Sequence, residues 1–164
     1  MQSIHFNNLK ELKRAKSEIE EKLKIKISIK GRTITIDGTP MDEYEASLVL
    51  GAINIGFSAK KALSLIDEES IFKIIKIKDF TKKKNLKEVR ARIIGTKGKT
   101  KRTIESISNC DIIIKNNEIG IIGNAESIEE LITAVTSLIR GTKQSNTYRY
   151  LEKINKNKKQ NQRL

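Results

Sequence analysis

Residues 92–102 read Arg92-Ile-Ile-Gly-Thr-Lys-Gly-Lys-Thr-Lys-Arg102. The stretch holds two glycines, Gly95 and Gly98, separated by two residues, together with five basic side chains. Glycine lets the backbone approach another molecule closely because it has no Cβ. A glycine loop rich in cations predicts a binding site for phosphate, and it suits either a nucleotide or a longer nucleic-acid strand.

The tripeptide Gly98-Lys-Thr100 is also the end of a nucleotide-binding P-loop. That motif needs a first glycine five residues before Gly98, where this sequence has Ile93,. It also needs a strand before the loop, whereas Leu86, Val89 and Ile93 recur at helical spacing. A degenerate P-loop NTPase is therefore the less favoured hypothesis. A G-x-x-G loop between two helices is the favoured one.

The pattern around the loop predicts a small α+β unit. Apolar periodicity gives the order β-α-α-β-β-α, with a three-stranded sheet and helices on one face. Asn116-Asn117 reads as a tight hairpin turn, and Ser127-Ile-Glu-Glu130 as the capping box of the last helix. The predicted strands are Ile71–Lys78, Asp111–Lys115 and Glu118–Ile122.

The sequence also resembles itself at an offset of 85 residues. Ile19-Glu20 falls on Ile104-Glu105, and Gly56 falls on Gly141. The offset predicts two similar units. The first unit is degenerate, because the position of the G-x-x-G reads Lys10-Glu-Leu-Lys13. Its first strand would fall before Met1, and Ser3–Phe6 is the expected replacement.

The net charge of +13 is unevenly placed along the chain. Residues 81–103 carry 10 basic and 1 acidic residue, whereas residues 1–80 carry 14 and 12. Concentration of positive charge at a glycine loop predicts a polyanionic partner, with nucleic acid favoured over an anionic membrane surface. A basic tail adds non-specific electrostatic affinity.

Several function classes fit the composition poorly. One histidine, His5, and one cysteine, Cys110, make neither a zinc constellation nor a Ser/His or Cys/His catalytic arrangement,. We expect no catalytic residue, metal or cofactor, and a buried core role for Cys110. Aromatic residues make up only 4%, which argues against an RRM or OB-fold,. No apolar run has the length of a membrane span, so we expect a soluble cytoplasmic protein without a membrane partner.

Residues 92–105, RIIGTKGKTKRTIE, resemble the core of a type I KH domain. The similarity is greatest to the archaeal and eukaryotic pre-ribosomal KH proteins of the partner-of-Nob-one group. It extends to Ile121-Ile-Gly123, to Leu138-Ile-Arg-Gly141 and to Thr147–Glu152. Upstream, residues 56–63 (GFSAKKAL) also match.

The resemblance implies tandem KH domains that bind single-stranded RNA without catalysing a reaction. It implies binding to the 3′ region of small-subunit rRNA during ribosome assembly, and a partner endonuclease that matures that end. The expected organisation is a degenerate KH-like domain with a linking helix at 1–66, a KH domain at 67–141 and a basic C-terminal tail at 142–164. We expect the part after Leu151 to be a frayed helix or disordered.

The predicted RNA-binding residues comprise the loop, the cations beside it and one apolar side chain for the floor of a base-binding groove. They are Arg90, Arg92, Ile94, Gly95, Thr96, Lys97, Gly98, Lys99, Lys101 and Arg102. Two alternatives stay open beside the P-loop NTPase. One is another KH module acting in RNA degradation or translation, and the other is a protein-interaction scaffold whose charge serves acidic partners.

Overall fold

The structure, a computed structural model, describes residues 1–67 and 69–163. Contacts divide the chain into two units, Met1–Phe72 and Lys73–Leu164. Each unit has its own three-stranded sheet. Within the described part of the chain, no helix is both long enough and apolar enough to cross a membrane.

The first unit is a sheet covered by helices. Thr39 caps its longest helix, because the Thr39 hydroxyl accepts a hydrogen bond from the Asp42 amide at 3.2 Å and Pro40 occupies the first helical position,. Strand β3 lies in the middle of the sheet, between β1 and β2. The elements in chain order are β1 (Gln2–His5), α1 (Lys10–Leu23), β2 (Lys26–Lys30), β3 (Thr33–Asp37), α2 (Pro40–Ile55) and α3 (Ala59–Leu63), followed by a 3₁₀ turn (Ser64–Ile66).

Periodicity explains the core of this unit. Ile34 and Ile36 alternate on β3 and are fully buried,. On α1 the buried side chains recur every three or four residues, which places them on one face. They are Leu12, Ala15, Ile19 and Leu23.

Strand β1 supplies the strand that the first unit was predicted to need. It pairs antiparallel with β3, with Ile4 opposite Ile34. The predicted replacement at Ser3–Phe6 is thus confirmed, one residue earlier in the sequence. No helix lies between β1 and α1 among the described residues of this unit.

The second unit follows the predicted β-α-α-β-β-α order and adds one helix. The loop with the two glycines joins α4 to α5 and contains a 3₁₀ turn at Thr96–Gly98. Strand β6 lies in the middle of the sheet, between β4 and β5. The elements are β4 (Ser70–Lys76), α4 (Leu86–Ile94), α5 (Lys99–Ser108), β5 (Asp111–Lys115), β6 (Glu118–Asn124), α6 (Ala125–Arg140) and α7 (Gln144–Gln162).

The capping box predicted at Ser127–Glu130 is wrong. Helix α6 begins at Ala125, and the Asn124 side chain caps it by accepting a hydrogen bond from the Glu126 amide at 2.8 Å. Ser127 therefore already lies in the first turn. Asn124 is as good a capping residue as serine, so the choice between the two depended on where β6 ends.

The tail beyond residue 141 is also different from the prediction. In its described part it is the long helix α7, which packs on α5 and α6. Leu151 is buried, the Asn155 amide donates to the Ile107 carbonyl, and the Lys158 ammonium pairs with Glu130 at 3.1 Å. Thr147 and Leu151, one helical turn apart, are the buried side chains of this otherwise polar helix. The buried Cys110 confirms the core role expected for the thiol, and burial raises its pKa.

Residues 85 apart share unusual backbone conformations. Residues in the left-handed region lie at the end of α1 and of α5, and again in both hairpin turns. The glycines that end α2 and α6 have a positive φ as well. The pairs are Lys24 and Asn109, Gly31 and Asn116, and Gly56 and Gly141.

A side-chain contact repeats at the same offset. The Glu20 carboxylate accepts a hydrogen bond from the Ile27 amide at 2.8 Å. The Glu105 carboxylate accepts one from the Ile112 amide at 3.3 Å. Both contacts join a helix to the first residues of the following strand, so the helix–strand corner is built alike in the two units.

Candidate nucleic-acid interface

The loop between α4 and α5 is a sharp turn with three left-handed residues. Gly95, Lys97 and Gly98 have φ angles of 76°, 52° and 74°. Lys97 is not a glycine, and holding an L-residue there costs about 1 kcal/mol or more. The surrounding helices maintain this strained turn, and such strain is typical of binding sites.

Gly95 is required by its contact with the next helix. A Cβ at this position would lie 2.2 Å from the Thr100 hydroxyl oxygen and 2.7 Å from the Thr100 amide nitrogen. Thr100 is itself buried and cannot move aside. The first glycine therefore brings the loop down onto the start of α5.

Gly98 has a different environment. A Cβ there would meet only the Arg102 guanidinium, at 3.8 Å. Gly98 is also the N-cap of α5, and no described side chain accepts a hydrogen bond from the first amides of that helix. The Lys99 amide donates to the Thr96 carbonyl. The positive end of the helix dipole and the amides that follow Lys99 attract anions, so the open side of the loop suits phosphate.

Three cations beside the loop are available to a ligand. Lys97, Lys99 and Arg102 are exposed. None of the three forms an ion pair with another described residue. Thr96, also exposed, is the remaining residue between the two glycines. The loop therefore presents mobile positive charge around a glycine turn.

The other three predicted cations have intramolecular partners. Lys101 forms a 2.7 Å ion pair with Glu105. Arg90 donates to the Asn116 carbonyl at 2.8 Å and to the Asn117 side-chain oxygen at 2.7 Å. These side chains hold α5 and the β5–β6 turn in place.

Arg92 likewise joins two elements. Its guanidinium donates to the Thr142 carbonyl at 2.9 Å, just beyond the end of α6. The structure thus separates the predicted basic residues into three free cations at the loop and three positioning residues around it.

Ile94 is the apolar side chain that lies beside the loop in reach of a ligand. It is 36% exposed although large and aliphatic, whereas Ile93 and Ile104 are fully buried. Because α4 ends at Ile94, its side chain and the loop share one surface. This position suits the floor of a groove for bases.

Sequence reasoning missed the roles of Thr100 and Glu105. Thr100 is buried on α5, and it is the residue against which Gly95 packs. Glu105 links Lys101 to the β5 backbone through its two carboxylate oxygens. The self-similarity at Ile19-Glu20 marked the glutamate as a repeated feature but did not indicate its contacts.

The corresponding stretch of the first unit has no glycine turn. Lys10–Lys13 forms the regular first turn of α1. Glu11, in that first turn, connects α1 to α3. Its carboxylate accepts hydrogen bonds from Arg14 and from the Ala59 amide at 2.8 Å, at the start of α3. The bond from Arg14, followed by that from Ala59, lowers the pKa of Glu11 from 4.5 to about 2.

The charge follows the same division. Residues 1–72 carry 11 basic and 11 acidic residues. Residues 73–164 carry 22 and 9, which is the entire net charge of +13. The unit with the glycine loop is therefore the unit with the electrostatic attraction for a polyanion.

Residues 71–156 match the family model for the second KH domain of PNO1, described as a eukaryotic-type, type I KH domain. The chain belongs to the PNO1-like family of KH-domain proteins. The match covers more than half of the sequence and contains the whole glycine loop. It also includes the first part of α7, so the family pattern extends beyond α6.

Curated members of the PNO1-like family show similarity over most of the chain. A KH domain-containing protein of Methanocaldococcus jannaschii is 32% identical over 145 residues, which is 84% of this chain and 64% of that protein. The RNA-binding protein pno1 of Drosophila melanogaster is 30% identical over 141 residues, 81% of this chain and 59% of that protein. The chain thus spans about six tenths of the length of these relatives.

Solved structures of the same family have the same fold. Dim2p from Pyrococcus horikoshii superposes with a TM-score of 0.84 at 32% identity, covering 93% of this chain and 98% of that one. A further structure, the a/eIF2alpha–aDim2p–rRNA complex from the same organism, gives a TM-score of 0.86 at 31% identity and covers 95% and 94% of the two chains. Both superpositions cover residues of the two units.

The P-loop hypothesis finds no support in this geometry. A P-loop follows a strand, whereas the loop here follows helix α4,. Ile93, at the position of the first P-loop glycine, is fully buried in that helix.

Proposed function

We propose that this chain is a single-stranded RNA-binding protein that acts in pre-rRNA processing. The observation that carries the proposal is the Gly95–Gly98 loop. It brings together a turn with two glycines, three exposed cations without an ion-pair partner among the described residues, and the N terminus of α5. Each of these features favours a sugar-phosphate backbone.

The mechanism is backbone clamping. Gly95 and Gly98 let the RNA backbone lie against the loop, while the first amides of α5 and the cations Lys97, Lys99 and Arg102 bind its phosphates. Ile94 supplies an apolar surface for a base that lies beside the loop. Arg90, Arg92 and Lys101 position the helices and the hairpin turn that flank the groove.

We infer further that the two units are tandem KH-like domains, the first degenerate. The shared left-handed residues and the repeated glutamate contact at an 85-residue offset support a duplication. The absence of a glycine turn at Lys10–Lys13 and the balanced charge of residues 1–72 support a first domain that does not clamp RNA.

The biological role is inferred from what related proteins are named for and bound to. One relative is the pre-rRNA-processing protein pno1 of Emericella nidulans, 28% identical over 142 residues. The solved aDim2p was determined in a complex with rRNA. We therefore propose a non-enzymatic assembly factor that binds the 3′ region of small-subunit rRNA in the cytoplasm, with an rRNA-maturing endonuclease as its protein partner.

The double substitution Thr96→Asp with Lys97→Asp tests the clamp. Both side chains are exposed, so the fold should persist while three units of charge change at the loop. We expect RNA affinity to fall at least about tenfold, which corresponds to about 1.4 kcal/mol. Fluorescence anisotropy with a labelled single-stranded oligonucleotide from the 3′ end of small-subunit rRNA measures it.

The matched variant carries the same charge change on α1 of the first unit, at Lys13→Asp with Ser17→Asp. Both residues are exposed on α1. Affinity should stay within about twofold of the unmodified protein. A loop variant that still binds normally would remove Gly95–Gly98 from the mechanism, and a weak α1 variant would contradict a degenerate first domain.

A further inference from the structure

In the second unit, α7 fills the groove between α5 and α6. It begins beside the end of α4, where the Gln144 amide donates to the Arg92 carbonyl at 3.5 Å. It then runs back along α6, so that Lys158 donates to the Glu126 carbonyl at 2.6 Å near the N terminus of α6. Helix α7 and helix α6 are therefore antiparallel neighbours over nearly the whole length of α6.

In the first unit, α3 begins the same path but stops early. Its capping residue Ser58 lies 85 residues before Lys143, which precedes α7. The 3₁₀ turn after α3 ends at Ile66, whereas α7 continues to Gln162. Ile66 is 39% exposed, and the residue 85 positions later, Leu151, is only 3% exposed.

In the first unit, a helix that continued beyond Ile66 as α7 does in the second unit would pass over exposed side chains at the start of α2. Met41 is 67% exposed and Tyr44 58% exposed. Together with Thr39 and Pro40 they line an open groove of about 640 Å³. We call Lys22, Met41, Tyr44 and Glu45 the α1–α2 face.

Polar groups on this face also correspond to groups that α7 engages. Glu45 is exposed and forms no ion pair with another described residue, whereas its counterpart Glu130 is bridged by Lys158. The carbonyl of Lys22 corresponds to that of Ile107, which accepts from Asn155. The face therefore offers the same kinds of hydrogen-bond and ion-pair acceptors that α7 uses in the second unit. Helix α3 is too short to reach them.

We propose that the α1–α2 face binds an amphipathic helix of a partner protein, lying antiparallel to α2 as α7 lies along α6. Helix α7 shows which chemistry such a ligand needs. Its contacts come from Leu151, Asn155 and Lys158, an i, i+4, i+7 pattern that forms one face of a helix,. Ile66 already stands where Leu151 lies in the second unit. The partner helix would therefore lie beyond Ile66 and bring an amide for the Lys22 carbonyl, a cation for Glu45 and apolar side chains for Met41 and Tyr44.

A protein ligand fits this face better than RNA. Met41 and Tyr44 are large and adjacent, and exposed apolar patches mark protein-binding surfaces. The unpaired carboxylate of Glu45 repels phosphate and attracts lysine or arginine. Residues 1–72 also carry no net charge, so a polyanion is not attracted to this unit.

A displayed library of helical peptides, selected against the full chain, tests the proposal. We expect enriched peptides with a polar amide, with Lys or Arg three residues later, and with apolar residues on the same helix face. Met41→Asn with Tyr44→Asn removes the large apolar side chains of this face without changing its charge. It should weaken those peptides at least tenfold.

Charge exchange gives the sharper test. Glu45→Lys should lose the basic peptides and recover binding when the cation of the peptide is replaced by glutamate. Lys30→Glu is the matched control, because it is an exposed charge reversal on β2 and should leave peptide binding unchanged. Thermal melting of each variant checks that the fold is intact.

Peptides insensitive to both face variants, or a selection without enrichment, would overturn the proposal. So would ultraviolet crosslinking of a U15 oligonucleotide to Tyr44, because RNA would then be the ligand of the face. RNA affinity should be the same in all these variants, so the outcome is independent of the Gly95–Gly98 clamp.

Discussion

At the scale of single residues, the two glycines of the loop have separate tasks. Gly95 packs on the buried Thr100, so its missing side chain is a requirement of folding. Gly98 faces open space, so its missing side chain leaves room for a ligand. A G-x-x-G motif read as one unit conceals this difference.

Alanine at each glycine should separate the two tasks. At Gly95, with φ 76° and ψ 175°, the backbone is accessible essentially only to glycine, and the Cβ would clash,. We expect Gly95→Ala to lower the free energy of unfolding by about 3 kcal/mol or more. Gly98→Ala should cost about 1 kcal/mol, the penalty of the left-handed region alone. Urea unfolding measures both, and equal losses would contradict the assignment.

Glu11 should make the first unit sensitive to acid. Its folded pKa of about 2 lies below the ordinary 4.5, so the ionised carboxylate stabilises the fold above about pH 4.5,. That stabilisation is lost as the pH falls towards 2. Glu11→Gln should therefore be less stable than the unmodified protein at pH 7 and nearly equal to it at about pH 2. A stability difference that is constant across this range would show that the carboxylate charge is unimportant.

At the scale of elements, α7 is the main departure from the prediction. Its sequence is polar and basic, and only the buried side chains of Thr147 and Leu151 reveal an amphipathic helix. Helices of this kind form through tertiary packing more than through propensity. The groove between α5 and α6 supplies that packing. The sequence alone did not indicate that these two helices form a groove for a further helix.

Leu151→Ala tests whether α7 is an integral helix. Removing a fully packed leucine side chain should lower the free energy of unfolding by about 2–4 kcal/mol. Lys153→Ala, an exposed position on the same helix, should change it by no more than about 0.5 kcal/mol,. Thermal or urea unfolding followed by circular dichroism measures both. If both substitutions changed the free energy of unfolding by equally small amounts, α7 would not be an integral helix and the prediction of a frayed C-terminal end would stand.

At the scale of the whole molecule, the net charge and the glycine loop belong to one of the two units. The second unit holds the glycine loop and all of the net charge, and the first is electrically balanced. Under the proposed function, the second unit binds RNA and the first is left for the proposed protein partner. The proposed RNA clamp and the α1–α2 face fit this division.

The division predicts where the salt dependence of RNA binding arises. Each phosphate contact with single-stranded RNA contributes about 0.7 to the slope of log K against log salt. Replacing Lys97, Lys99 and Arg102 with glutamine should reduce the slope by about 2. Replacing Lys13, Lys26 and Lys30, three exposed cations of the first unit, should leave it unchanged. Anisotropy titrations from about 50 to 300 mM KCl decide between one charged unit and two.

The sequence by itself determined the element order, the glycine loop and the position of the positive charge. These depend on local periodicity, on residue type and on composition, all of which can be read without contacts. The replacement of the first strand by residues near the N terminus was also predictable, because Ile4 and Phe6 alternate with the polar Ser3 and His5,.

Only the tertiary structure decided which cations are free. Arg90, Arg92 and Lys101 resemble Lys97 and Lys99 in the sequence, but acceptors distant along the chain or one helical turn away hold them. Tertiary structure also decided that Gly95 packs on Thr100 and that α7 is a docked helix. Each of these depends on which surfaces pack against each other. The sequence alone does not show which side of a helix will be covered by its neighbours and which side will remain exposed.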